Sequence, residues 1–147
     1  MRRSWALMGM TELCMQVAVL APASAVASKE RITITGEIVD TWCSASQIMG
    51  YALGSAHYQC AVWCAVGGIP VSVRADEGRH FMVLKIGDET QSVASPRLID
   101  IQAHQVTVEG DVYSRDGVSY LLIDQVKTDG GIVNLSHKDY GILPFGE

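Results

Sequence analysis

The chain has no cluster of lysine or arginine residues, and its 11 basic side chains are outnumbered by 16 acidic ones. The resulting net charge of −5 argues against a nucleic acid or an anionic membrane surface as a partner, because both attract basic proteins. The sequence also lacks a phosphate-binding loop, a dinucleotide fingerprint and a Ser-His-Asp arrangement for nucleophilic catalysis. These absences together predict a protein that is not an enzyme.

A long hydrophobic run is missing too, and this decides how residues 1–27 are interpreted. They begin with Arg2 and Arg3, continue through an apolar stretch interrupted by Glu12, and end in small residues. The apolar stretch is too short for a membrane anchor, so the pattern predicts a cleaved signal peptide. We expect a periplasmic or secreted protein that starts near Val26 or Ser28. Its single domain, residues 28–147, has no membrane span.

Cysteine is scarce, but three of the 4 cysteines lie within residues 40–70. The same stretch contains His57, so thiol and imidazole groups are concentrated there. Neither the Cys-x-x-Cys spacing of thioredoxin-like proteins nor a Cys-x-x-Cys-His haem attachment is present. Another arrangement must therefore bring these side chains together.

A helix over residues 56–66 would place most of them on one face. Ser55 is the predicted N-cap, and Gly67 is the predicted glycine just beyond the C-terminal end. His57, Cys60 and Cys64 are then spaced i, i+3 and i+7, within roughly 60° of each other around the helix. Tyr58, Val62 and Val66 would form the packing face. Cys43 would approach from the preceding loop.

Three interpretations of this cluster remain open. Cys43, His57, Cys60 and Cys64 form a Cys₃His set that suits copper or zinc, and less commonly an iron–sulfur centre. Alternatively, a disulfide joins Cys43 to Cys60 or Cys64, which leaves one thiol over and gives His57 no role. A third interpretation is thiol–disulfide exchange between Cys60 and Cys64.

The side chains around the cluster have two interpretations each. Asp40 either accepts a hydrogen bond from the imidazole or ends a strand in solvent. Core positions are predicted for Trp42, Trp63 and Met82, although Met49 and Met82 also offer thioether ligands. Surface positions are predicted for the other histidines, which are His80, His104 and His137.

Alternation of apolar and polar residues predicts five strands, at residues 31–39, 69–75, 80–86, 105–113 and 119–127. In the first strand Gly36 indicates a bulge or bend. Ser95-Pro96 predicts the start of a short helix over residues 97–103. Asp116-Gly117 predicts a two-residue hairpin turn.

Ile142, Leu143 and Phe145 make the C-terminal tail apolar, so it either covers the barrel or binds a partner.

This order of elements is that of a small five-stranded OB-like barrel with the Cys/His helix inserted between strands 1 and 2. Residues 106–126 read Val-Thr-Val-Glu-Gly-Asp-Val-Tyr, then Asp-Gly, then Tyr-Leu-Leu-Ile. They resemble the last hairpin of small exported bacterial OB-type proteins. Two functions from different classes follow. One is metal storage, delivery or service as an accessory subunit, and the other is a disulfide-stapled module that docks onto a larger periplasmic protein.

Overall fold

The computed structural model describes residues 28–49 and 53–136. Within these ranges the strands are β1 (Ser28–Asp40), β2 (Val71–Ala75), β3 (His80–Ile86), β4 (Gln105–Arg115) and β5 (Val118–Asp129). The α-helices there are α1 (Thr41–Ser46), α2 (Tyr58–Val66) and α3 (Pro96–Asp100). A 3₁₀ turn, Gly54–Ala56, precedes α2. None of the helices in the described ranges is long and apolar enough to cross a membrane.

The five strands form one sheet that closes into a ring in the order β1-β2-β3-β5-β4. Neighbouring strands are antiparallel except β3 and β5, which run parallel. Apolar side chains from all five strands fill the interior, including Ile38, Val73, Phe81, Val108 and Leu121. The mainly β architecture predicted from alternation is thus confirmed, and α1 and α2 lie between β1 and β2.

The predicted strands are present, but several boundaries differ. β1 begins and ends outside the predicted range, while α3 ends at Asp100 rather than at residue 103. Ser95 caps α3 as predicted, because its side chain accepts the backbone N–H of Leu98. The largest difference is α1, where the sequence predicted a loop. Its six residues are too few to show a helical apolar period.

The second half of β1 is buried on both faces, which alternation did not predict. Strict alternation along this strand places Glu37 and Val39 on the polar face, yet both are buried. Glu37 pairs with Arg74 of β2 and with Gln105 of β4, so this segment has a neighbouring strand on each side. Helix α2 also contacts β1. The buried end of β1 leads directly into the Cys/His region.

Gly36 is needed for close approach rather than for a bulge. It pairs with Ala75 and with Val106, and neither register shifts there. A Cβ atom at this position would lie 2.3 Å from the carbonyl oxygen of Arg74. Any side chain would therefore push β2 away from β1, and the predicted bulge is wrong.

The predicted hairpin turn at Asp116-Gly117 is confirmed. Arg115 pairs with Val118, so two residues connect β4 to β5. Asp116 has φ of 51° and Gly117 has φ of 81°. Positive φ at both central residues is the geometry that follows the twist of the adjoining strands.

Replacing Gly117 by valine should lower the free energy of unfolding by about 1 kcal/mol or more, because a β-branched residue strains at positive φ. No atom lies within 4 Å of a Cβ built there, so backbone strain is the only expected cause. Thermal unfolding of Gly117→Val, beside Ser114→Val in β4 as control, measures the effect. Equal melting temperatures for the two variants would contradict this turn.

Residues 1–27, 50–52 and 137–147 lie outside the described residues. The signal peptide, His137 and the apolar tail at Ile142, Leu143 and Phe145 therefore stay predictions. The last described segment contacts the region before α2, where the carbonyl of Asn134 accepts the backbone N–H of Ser55 at 2.9 Å.

Candidate metal centre

Helix α1 places Cys43 inside the protein. Asp40, the last residue of β1, is the N-cap of α1, and its Oδ1 atom accepts the backbone N–H of Cys43 at 2.8 Å. The backbone N–H of Thr41 donates to the carbonyl of Pro70 at 2.8 Å, which ties the helix to the start of β2. Cys43 is buried as a result. The predicted loop is thus a capped helix with a fixed orientation.

Helix α2 presents the other two thiols, with corrections to its predicted ends. It begins at Tyr58, and His57 rather than Ser55 occupies the N-cap position. The carbonyl of His57 still accepts the N–H of Ala61 at 2.9 Å, so His57 continues the helical path. At the other end Gly68 (φ 90°), not Gly67, has the left-handed conformation. The spacing of His57, Cys60 and Cys64 along one helical segment is confirmed.

The packing face of α2 consists of small residues. Ala61 and Ala65 are its buried side chains, whereas Val66 is exposed, so the predicted valine face is wrong. Small side chains let the helix axis approach β1 and α3 closely. The adjoining stripe, with Cys60 and Cys64, is only partly buried. These two thiols are therefore open to solvent on one side, and the Cys43 thiol closes the other.

The three sulfur atoms converge on one point. Sγ of Cys43 lies 3.7 Å from Sγ of Cys60, which lies 3.9 Å from Sγ of Cys64. Around zinc, bonds of about 2.3 Å to sulfur require sulfur–sulfur separations of roughly 3.8 Å in tetrahedral geometry. These two separations match edges of a single coordination polyhedron, and the third pair of sulfur atoms, Cys43 and Cys64, lies within 4.8 Å.

His57 and Asp40 form a second group that shares Cys43. The candidate ligand atoms of Asp40, Cys43 and His57 lie within 4.8 Å of one another, as do those of the three cysteines. Nε2 of His57 lies 2.9 Å from Oδ2 of Asp40. All three residues of this second group are buried. The four residues of the predicted Cys₃His set therefore lie close enough to hold a metal ion, with Asp40 beside them.

No family model, curated protein or solved structure matches this chain. The site's chemistry is therefore inferred from its geometry and its electrostatics.

Burial keeps Cys43 and Cys64 protonated in the metal-free protein. Loss of solvent, followed by contacts with Cys60 and Asp40, raises the pKa of Cys43 well above its usual range. Burial likewise raises the pKa of Cys64, and the charge of Asp40 adds to the effect. Burial alone would raise the pKa of Asp40, but hydrogen bonds from His57 and from the Cys43 N–H hold it below its usual value. The site thus contains two neutral thiols, those of Cys43 and Cys64, beside the carboxylate of Asp40.

The other two interpretations of the cysteines find less support in this geometry. Within the described residues no disulfide joins the cysteines, and Cys43, Cys60 and Cys64 are all free thiols. A disulfide would require a sulfur–sulfur distance of about 2.05 Å. A reactive thiol needs a lowered pKa, whereas burial raises that of Cys43 and Cys64. A metal ion, in contrast, could bind all three thiols in the positions that they occupy in this structure.

Several neighbours of the site differ from expectation. Trp42 and Trp63, predicted in the core, are 55% and 71% exposed. Met49 is exposed as well, while Met82 is partly buried in β3. His80, predicted on the surface, is partly buried, and its Nε2 lies 2.7 Å from Oγ of Ser44 in α1. This contact ties α1 to β3.

Sequence reasoning left the position of Asp40 open and missed the burial of Glu37. Asp40 is fully buried, so the solvent-exposed strand end is wrong and the contact with the imidazole is correct. Glu37 is buried too, and its Oε1 accepts the backbone N–H of Gly54 at 2.7 Å. Burial raises the pKa of Glu37. The only signal in the sequence was Asp40 three residues before a cysteine, as an N-cap requires.

Proposed function

We propose that this chain is an exported, non-catalytic metal-binding protein that holds one copper or zinc ion through Cys43, Cys60, Cys64 and His57. Its role would be metal storage, metal delivery or service as an accessory subunit of a periplasmic partner. The observation that supports it most is the convergence of three sulfur atoms at 3.7 and 3.9 Å. Thiolates are the ligands that select copper and zinc among common metals.

The exposure of the thiols favours storage or delivery over a purely structural ion. Cys60 and Cys64 are partly exposed, so a partner's ligands could reach the ion from that side. Trp42 and Trp63 flank two of the ligand cysteines in sequence and are both exposed. Four protein ligands are also usual around a structural ion, so the solvent access of the thiols, and not the number of ligands, is what favours delivery.

The OB-like barrel is part of the same proposal. The strand order β1-β2-β3-β5-β4 and the parallel contact between β3 and β5 support it. In such barrels the loop between strands 1 and 2 commonly forms part of the ligand-binding surface. The metal centre lies in that connection, since α1 and α2 both fall between β1 and β2.

The proposal is tested on protein isolated from the periplasm or the medium. Elemental analysis should find about one copper or zinc ion per chain, because three thiols and one imidazole complete a single four-coordinate shell. After metal removal under non-reducing conditions, thiol titration of the mature chain should count three free thiols. One free thiol without metal would favour the disulfide-stapled module. Mass spectrometry of the same sample locates the mature N-terminus.

A further inference from the structure

The stretch of chain that carries the thiol cluster is depleted of charge. Residues 41–73 contain no Asp, Glu, Lys or Arg, and all 11 basic and 16 acidic side chains of the protein lie outside them. Within residues 28–49 and 53–136, nine large apolar side chains are exposed, and five of these belong to the uncharged stretch. We call these five residues the apolar face: Trp42, Ile48, Met49, Trp63 and Val66. Exposed apolar groups concentrated in a region without charge are typical of a protein interface.

Helix α2 separates the apolar face from the core. Trp63 is 71% exposed, and Val66 follows it three residues later on the same side of the helix. Ala61 and Ala65 are buried on the opposite side. Between the two sides lie Cys60 and Cys64, which are partly buried. The exposed side of α2 therefore has an indole and an isopropyl group where a solvated helix would have charges.

Helix α1 brings a second tryptophan to the same thiol cluster. Trp42 precedes Cys43, whose Sγ lies 3.7 Å from Sγ of Cys60. Trp63 precedes Cys64, whose Sγ lies 3.9 Å from that same sulfur atom. Both tryptophans therefore leave the backbone beside one cluster, and both are more than half exposed. Tryptophan is among the residues that contribute most to binding energy at interfaces.

We propose that the apolar face is the docking surface for a second copy of this chain, which pairs with the first about a two-fold axis. Such an axis brings the same surface of both copies into contact, so each apolar face can bury the other. This inference goes beyond the proposed metal binding and does not depend on it.

The distribution of charge favours a second copy as the occupant. The chain has a net charge of −5, so two copies repel each other where their acidic surfaces meet. The stretch that carries the apolar face has no acidic side chain, so two copies can meet there without bringing like charges together. It also has no lysine or arginine that would select an acidic partner. The surface best matched to such a face is another uncharged apolar surface, and a second copy supplies one.

Pairing of the apolar faces would also cover the open side of the thiol cluster. Cys60 and Cys64 are only partly buried in the single chain, and they adjoin the exposed side of α2. The dimer should shield both thiols, and a metal acceptor would then reach them only in the monomer. Alkylation of the reduced, metal-free chain by excess iodoacetamide should therefore slow as the protein concentration is raised.

Sedimentation of the reduced, metal-free chain over a range of concentrations tests the proposal. The reducing agent excludes dimers joined by a disulfide, and the absence of metal excludes dimers that share an ion. We expect a reversible equilibrium between monomer and dimer. Trp63→Lys should raise the dissociation constant of the dimer about tenfold or more, because it removes an aromatic anchor and places a cation from each copy in the interface.

Leu84→Lys is the matched control for this variant. Leu84 is a large apolar residue of β3, is 45% exposed and lies outside the apolar face. The control adds the same charge and should dimerise like the wild type. An equal weakening by Leu84→Lys and Trp63→Lys would overturn the proposed surface. Circular dichroism and melting check that the variants are folded, and Val66→Lys on the same side of α2 replaces Trp63→Lys if that variant does not fold.

Mixing two charge variants tests whether both copies present the same face. Trp63→Lys and Trp63→Glu should each dimerise poorly alone, because each brings like charges together. An equimolar mixture should dimerise more readily than either variant, since opposite charges then face the same interface. A mixture that dimerises no better than the separate variants would overturn the two-fold pairing.

The wild-type chain decides the proposal without any variant. A chain that stays monomeric at every concentration would overturn it and leave the metal site standing. Dimerisation with an unchanged alkylation rate would place the contact on another surface and overturn it as well. A chain that dimerises as expected but binds neither zinc nor copper would instead refute the proposed function alone.

Discussion

Replacing any one of Cys43, Cys60 and Cys64 by serine should remove most of the bound metal. Each variant leaves the ion with two thiolates and an opening to water, and a neutral hydroxyl is a poor ligand for copper or zinc. We expect each affinity to fall by more than the roughly 10–100-fold typical of outer-shell substitutions. Elemental analysis after dialysis measures the metal that each variant retains, and competition with a chelator measures its affinity.

His57→Ala should cost less than the loss of a thiolate. Water can occupy the fourth position of a zinc ion, as it does in catalytic sites with three protein ligands. The variant should therefore retain metal at equilibrium but exchange it faster. The sulfur-to-metal charge-transfer bands of the Co²⁺-loaded variant should remain. Its ligand-field bands should change, because the nitrogen ligand is gone.

The disulfide-stapled alternative predicts a different pattern for the same four variants. Two Cys→Ser changes would be destabilising to the same extent, because each removes one end of the same cross-link. The third Cys→Ser change and His57→Ala would both be silent. Melting temperatures and metal contents measured side by side separate the two patterns. A silent cysteine among the three would contradict the Cys₃His site.

Metal binding should depend steeply on pH. Burial raises the pKa of Cys43 and of Cys64, so both are thiols at neutral pH and must release a proton to bind the ion. Each released proton changes the apparent affinity tenfold per pH unit, and these two alone give about a hundredfold. Chelator competition between pH 6 and pH 8 should show at least that slope. An affinity that is independent of pH in this range would exclude these two thiols as ligands.

The metal-free protein should respond to pH in the opposite sense. A thiol whose pKa is raised in the folded state adds stability below its unfolded pKa of about 8.5, and this stability is lost as pH rises further. Melting temperatures of metal-free protein should therefore fall above about pH 8.5 as Cys43 is forced to ionise inside the protein. Cys43→Ser should flatten this fall, because serine does not ionise there.

The ring of strands could be predicted because its signals are local. Alternation marks the strands, and Asp116-Gly117 marks a turn that needs positive φ at two residues. The ends of β1 could not be predicted in the same way. Its last five residues are buried on both faces, and alternation disappears where a strand is covered on both sides.

The ligands of the candidate centre could be predicted from residue type and helical spacing, but their surroundings could not. Cys60 and Cys64 share a helix with a recognisable period, whereas Cys43 reaches them through α1, which has too few residues for a pattern. The sequence left two interpretations of Asp40 open, an acceptor for the imidazole or a solvated strand end, since it does not reveal that Asp40 is fully buried. Trp42 and Trp63 were predicted in the core because large aromatic side chains are usually buried. The packing face of α2 is instead formed by the small residues Ala61 and Ala65.

X-ray absorption at the metal edge of the loaded wild-type protein tests the central claim most directly. The Cys₃His site predicts three sulfur neighbours at about 2.3 Å and one nitrogen neighbour at about 2.0 Å if the ion is zinc. Cys64→Ser should reduce the sulfur count to two. A first shell in the wild type with fewer than three sulfur neighbours would contradict the site built from Cys43, Cys60, Cys64 and His57.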